Sequence, residues 1–143
     1  MKIYLYFIGK PKDPHANAVA EDFLGRAARY CPAAMQEIRP DRTDAWDKLW
    51  AKHPTARKIF LDPGGKPMDS PAFAQLIARA EMEGRDLAFL IGGHDGLPPG
   101  WGARADLLLS LSAMTFPHEM ARAMLAEQIY RGFASLRGHP YPR

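Results

Sequence analysis

The chain of 143 residues is poor in cysteine, has no long apolar run and carries none of the familiar phosphate-cradling glycine patterns. Its single cysteine, Cys31, rules out a disulfide framework and a thiolate metal site, and suits a reducing cytoplasm. No stretch reaches the ~18 apolar residues that span a bilayer. The opening MKIYLYFIGKPKDP lacks a small-residue cleavage site and is broken by Pro11 and Pro14, so no secretory signal is expected. A dinucleotide fingerprint would need G-x-G-x-x-G after the first strand, where only Gly9 occurs, and "PGGKP" lacks the spacing and hydroxyl of a P-loop. His94, Asp95, His118, Glu119 and His139 are too widely spaced for a metal site, and none is expected. Neither a Ser-His-Asp order nor a G-x-S-x-G elbow stands out.

With 47% hydrophobic and 24% charged residues, the chain suits one globular domain over residues 1–143, without repeats or linkers. The net charge of +3 is a mild excess, compatible with an RNA partner but not evidence for one. Apolar runs alternate with helical patterns. Strands are expected at residues 2–9 (buried on both faces), 35–39, 58–62, 87–91 and 107–111. Helices are expected at 15–29, at 43–52 with Trp46, Leu49 and Trp50 on one side, and from Ser70-Pro71 to Gly84. A last helix should run from Pro117 to about Leu136. This alternation predicts an α/β fold, a parallel sheet with helices on both faces.

Ligands of such sheets sit outside the carboxyl ends of the strands. The loops that matter are therefore "GKPKDP", "DPGGKP", "GGHDGLPPG" and "SLSAMTFPHE". Gly92-Gly93 directly follow an apolar strand, where bare backbone allows either a close ligand or a plain turn. In the last helix Met120, Met124, Leu125, Ile129, Phe133 and Leu136 form a stripe wide enough for core packing and a dimer interface as well. The tail "HPYPR" offers imidazole, phenol and guanidinium groups that suit RNA.

Four motifs in order, "LDPGGK", "LIGGHDG", "LSLSAMTFPH" and the terminal "HPY", together with the opening "KIYLYFIGK", resemble the RlmH family over essentially the whole chain. These are small SPOUT-class enzymes that methylate N3 of a pseudouridine in large-subunit (23S) rRNA. The resemblance implies a C-terminal trefoil knot, an exception to the rule against threaded chains, and a homodimer with active sites at the interface. It implies S-adenosyl-L-methionine held at Leu61, Gly92, Leu111, Ser112, Ala113, Met114, Thr115 and Phe116. It assigns His139, Tyr141 and Arg143 to the rRNA, probed within the large subunit or the 70S ribosome. Another RNA site, or a ribosome-associated module without turnover, are the alternatives.

Overall fold

Strand β1 (Ile3–Ile8) is apolar at nearly every position because both of its faces are covered. Its odd residues Ile3, Leu5 and Phe7 join one core cluster, and its even residues Tyr6 and Ile8 join another. The computed structural model describes residues 1–39 and 45–141, with side chains from 47 onward in the second span. The expected helix start at Thr43, the side chain of Trp46 and the tail residue Arg143 lie outside the described residues.

The other elements are α1 (Pro14–Ala27), β2 (Ala33–Ile38), α2 (Ala45–Ala51), β3 (Arg57–Pro67), α3 (Ser70–Glu83), β4 (Leu87–Ile91), β5 (Leu107–Ser110) and α4 (His118–Leu136). All ladders are parallel, in the order β2-β1-β4-β3-β5. The expected α/β architecture is therefore the observed one. The two faces are covered unequally. Helices α1, α3 and α4 bury the larger cluster with Leu24, Ile77, Leu125, Ile129 and Phe133. Trp50 of α2, with Leu97 and Trp101 from the loop after β4, closes the smaller one. There the Tyr6 hydroxyl lies 2.6 Å from His53 Nε2. Burial pushes the Tyr6 phenol up to about 12 and the His53 imidazole down.

Most boundaries fall within two residues of expectation, and three differences have a local reason. Strand β3 does not stop at Asp62: its ladder with β5 resumes, so that Leu109 faces both Leu61 and Lys66, and residues 62–65 bulge out between them. Helix α3 is capped by Asp69, not by Ser70; the Asp69 carboxylate accepts from the Ala72 N–H at 2.8 Å. Ser70 instead stands in the first turn and its hydroxyl reaches Gln128 of α4 at 2.8 Å. Strand β5 ends at Ser110, which leaves Leu111 to the loop. At the other end of α3, Gly84 takes the left-handed conformation (φ 63) that closes the helix.

Candidate active site

A cavity of about 500 Å³ opens at the carboxyl ends of β3, β4 and β5. Three chain segments make it: the β3 bulge, the Gly92–Gly96 turn and the loop from Leu111 into the first turn of α4. Of the eight residues assigned to the cofactor, Leu61, Gly92, Leu111, Ser112, Met114, Thr115 and Phe116 line it. Ala113 is exposed in the same loop and is not among the lining residues.

Each segment is held by specific contacts. Gly92 is buried, and a Cβ there would meet the Gly96 carbonyl carbon at 2.4 Å and its oxygen at 2.6 Å. The strand end therefore admits no side chain. The Ser110 hydroxyl bonds the carbonyls of Pro63 and Ser112, both at 3.0 Å, and so ties the β3 bulge to the last loop. The Ser112 hydroxyl accepts from the Met114 N–H at 3.0 Å and shapes the following turn. Among the described residues no lysine or arginine lines the cavity, and its ionisable side chains are Asp62, His94 and His118.

The start of α4 is anchored by groups that sequence spacing gave no reason to join. Glu119 is buried, and its carboxylate accepts from the backbone N–H groups of Lys12 (2.6 Å) and Asp13 (3.1 Å) and from Asn17 Nδ2 (3.0 Å). The Lys12 N–H, ahead of the other bonds, pulls the carboxyl down to about 2 against the opposing effect of burial. Arg122, one turn on and fully buried, donates to Asn17 Oδ1 and lays its guanidinium 3.7 Å from the centroid of the Phe7 ring. Its Nε and Nη2 have no hydrogen-bond partner, and burial lowers its pKa. The loop after β1 is thereby fastened to the helix whose first turn, through Pro117, His118 and Ala121, lines the cavity.

The tail lies at the far end of the same helix. The His139 N–H bonds the Ala134 carbonyl at 2.8 Å, and its Nδ1 accepts from the Tyr141 N–H at 3.1 Å. The Tyr141 ring sits 4.8 Å from Tyr130 and under the Arg131 guanidinium at 5.3 Å, against α1 through Phe23. The phenol is pushed up, chiefly by burial. The tail folds back on the second half of α4: the Tyr141 ring rests on Tyr130, nine residues beyond Ala121 of the cavity wall, or about 14 Å at 1.5 Å per residue. Within one chain the structure does not bring His139 and Tyr141 to the cavity. The α4 stripe is likewise divided: Leu125, Ile129 and Phe133 are fully buried, while Met120 and Met124 remain 46% and 40% exposed. Among the described residues no group of three histidine, cysteine or acidic side chains is placed to hold a metal, and no helix is long and apolar enough to cross a membrane.

Comparison with known proteins places this geometry. The family model described as "Predicted SPOUT methyltransferase" matches residues 1–142. The chain is 79% identical to the ribosomal RNA large subunit methyltransferase H of Solibacter usitatus, over all of both chains. It is 41% identical to that of Sorangium cellulosum, over 99% of each. Among solved structures it resembles a probable methyltransferase from Bordetella pertussis (TM-score 0.62, 12% identity, 92% of this chain and 93% of that one). It also resembles the SpoU methyltransferase AviRb of Streptomyces viridochromogenes, solved with the cofactor AdoMet (TM-score 0.56, 14% identity, 94% of this chain and 58% of that one). A parallel sheet with its cavity at the strand ends, together with full-length matches of this kind, makes the chain a member of the SPOUT methyltransferase family, in its ribosomal RNA large subunit methyltransferase H branch.

Proposed function

We propose that the protein transfers a methyl group from S-adenosyl-L-methionine to N3 of a pseudouridine in 23S rRNA, as a cytoplasmic homodimer acting on the large subunit or the 70S ribosome. The observation that carries this reading is the cavity between Gly92 and the 111–116 loop, which among the described residues has no lysine or arginine in its walls. Its volume falls within the range of small-molecule sites. A sulfonium brings its own positive charge, so a cation-free wall and bare backbone suit it where a phosphate cradle would not.

The donor supplies an electrophilic methyl on sulfur. The chain supplies position and dryness. Leu61, Leu109, Leu111 and Phe116 wall the cavity with hydrocarbon, and the Gly92 backbone permits close approach. Ser112, Met114 and Thr115 line the cavity and offer main-chain groups to a purine edge. N3 of the uracil ring must lose its proton before or during attack, and His139 is the group assigned to accept it. Tyr141 and Arg143 grip the nucleotide.

Because His139 and Tyr141 are not among the residues that line their own cavity, they serve the cavity of a second copy. The exposed Met120 and Met124, with Met114 at 74%, supply an apolar face for that pairing. The threaded chain path of the family goes with this reading. The Ser110 bonds to both Pro63 and Ser112, and the tight passage of Gly92 against Gly96, support it.

Calorimetry with S-adenosylmethionine, S-adenosylhomocysteine and ATP tests the cavity: the first two should bind and ATP should not. Mass spectrometry of rRNA from a strain lacking the gene should show one methyl group missing from 23S rRNA, restored with the gene. Binding of ATP alone, or an unchanged rRNA mass, overturns the proposal.

A further inference from the structure

The positive charge of this chain is not spread evenly. Most arginines outside the cavity are neutralised by carboxylates: Arg26 by Asp22 at 2.9 Å, Arg131 by Glu127 at 2.6 Å, Arg137 by Glu81 at 2.5 Å and Arg85 by Asp106 at 3.8 Å. Arg57, Lys66 and Arg79 differ. Among the described residues none of the three makes an ion pair, and all three line one groove of about 640 Å³ between β3 and α3. The single carboxylate in that groove, Asp69, is engaged in capping α3. Three cations against one carboxylate concentrate here two of the formal excess of three charges carried by the whole chain. Between the cations the wall is apolar, with Met68 and Leu107 in the groove and Met82 at its rim, 85% exposed.

The groove extends along β3 from Arg57, at the amino end of the strand, to Lys66 at the bulge. Lys66 closes the β3 bulge on the groove side, and Asp62 and Pro63 of the same bulge line the cavity. The cavity itself offers no cation for a phosphodiester. An RNA strand presenting a nucleotide to it must have its phosphates neutralised elsewhere.

We infer that the Arg57–Lys66–Arg79 groove holds the sugar-phosphate backbone of the RNA substrate next to the target nucleotide, a contact surface separate from the C-terminal tail. This inference rests on the proposed RNA substrate. Its occupant is single-stranded or looped RNA, whose phosphates meet the cations while riboses and base faces lie on the exposed Met82 thioether and the half-buried Met68 and Leu107.

The test is co-sedimentation of the full chain with ribosomes between 50 and 200 mM KCl, comparing wild type with the triple variant R57S/K66S/R79S. Loss of three phosphate contacts should lower the log–log salt slope of binding by about 2, at roughly 0.7 per contact for single strands, and weaken binding on the order of tenfold at low salt. Adenosylmethionine affinity, measured by calorimetry on the same variant, should not change, which also shows that the variant is folded. The pair R29S/K52S removes two other exposed cations and should leave the slope within about one unit. An unchanged slope in the triple variant overturns the inference. So does weaker binding with an unchanged slope, which would mean a protein contact, or an equal effect from R29S/K52S, which would mean diffuse charge. If wild type binds with the expected slope yet methylates no rRNA, the proposed reaction fails and the groove stands.

Discussion

The two ends of α4 are built from opposite materials. At its first turn a buried carboxylate collects backbone N–H groups from a loop more than a hundred residues earlier, and a buried guanidinium lies on Phe7. At its last turn the chain turns back through Gly138 (φ +70) and stacks the half-buried Tyr141 ring between buried Tyr130 and the Arg131 guanidinium. The first end is fixed by charge taken out of water, where one geometry satisfies the hydrogen bonds. The second is held by stacking near the surface, where each contact is worth about 1 kcal/mol and rearrangement is cheap. The difference matches the two tasks proposed for these ends. A donor site must be rigid before the substrate arrives, whereas an RNA grip must adapt to it.

The largest expected effect comes from removing the adaptable end. A chain ending at Gly138 should lose methylation at least 10²-fold, because alignment is what the tail contributes, while its adenosylmethionine affinity stays within about twofold. A mixed dimer sharpens the point. Pairing the tail-less chain with a chain whose cavity is closed by G92R should restore one working site if tails serve the partner's cavity. Neither parent homodimer should be active. A mixed dimer as inactive as its parents would place tail and cavity in the same chain and contradict the separation along α4.

At the rigid end, Gly92→Ala should act on the donor and not on the RNA. The added methyl meets the Gly96 peptide at 2.4 Å, backbone that cannot step aside as a flexible side chain would. Moving that turn should weaken adenosylmethionine by about 10- to 100-fold, or about 1.4–2.8 kcal/mol. Ribosome binding should remain near wild type. Calorimetry and co-sedimentation on the same preparation separate the two, and a variant that loses both would show that the ends are coupled.

Much of this division was legible in the residues, though unevenly. The strand at 87–91 is found where the apolar run predicts it, because an element buried on both faces writes its whole length in hydrophobic residues. Gly92 and the 111–116 loop were readable because the crossings at strand ends demand glycine and short polar residues, and because the motifs resemble a family. The β3 bulge was not, since "DPGGKP" carries turn residues that a bulge and a loop use alike. Asp69 and Ser70 both make good caps, and only the backbone decides between neighbours. Glu119, Arg122 and Asn17 stayed hidden for another reason. Glu119 and Asn17 meet across 102 residues of chain, and no local spacing encodes that. A glutamate and an arginine three apart read as a solvated helix face until the fold buries them.

That hidden cluster predicts an effect on folding and not on turnover, and the most specific one. Glu119→Gln keeps an oxygen that can accept the Lys12 N–H but removes the charge that makes the bond strong. The native carboxyl titrates near 2, below its ordinary 4.5, so the folded state favours the ionised form. Its contribution is complete above pH 4.5 and is lost as the pH falls from there toward 2. The variant should therefore be less stable than wild type by about 3 kcal/mol at pH 7. The gap should narrow below pH 4.5 and close near pH 2, as far as both proteins remain folded. Denaturant melts at pH 7, 5, 4 and 3 read this directly. A gap that is independent of pH would mean that Glu119 acts by shape alone and that the rigid end of α4 is not held by charge.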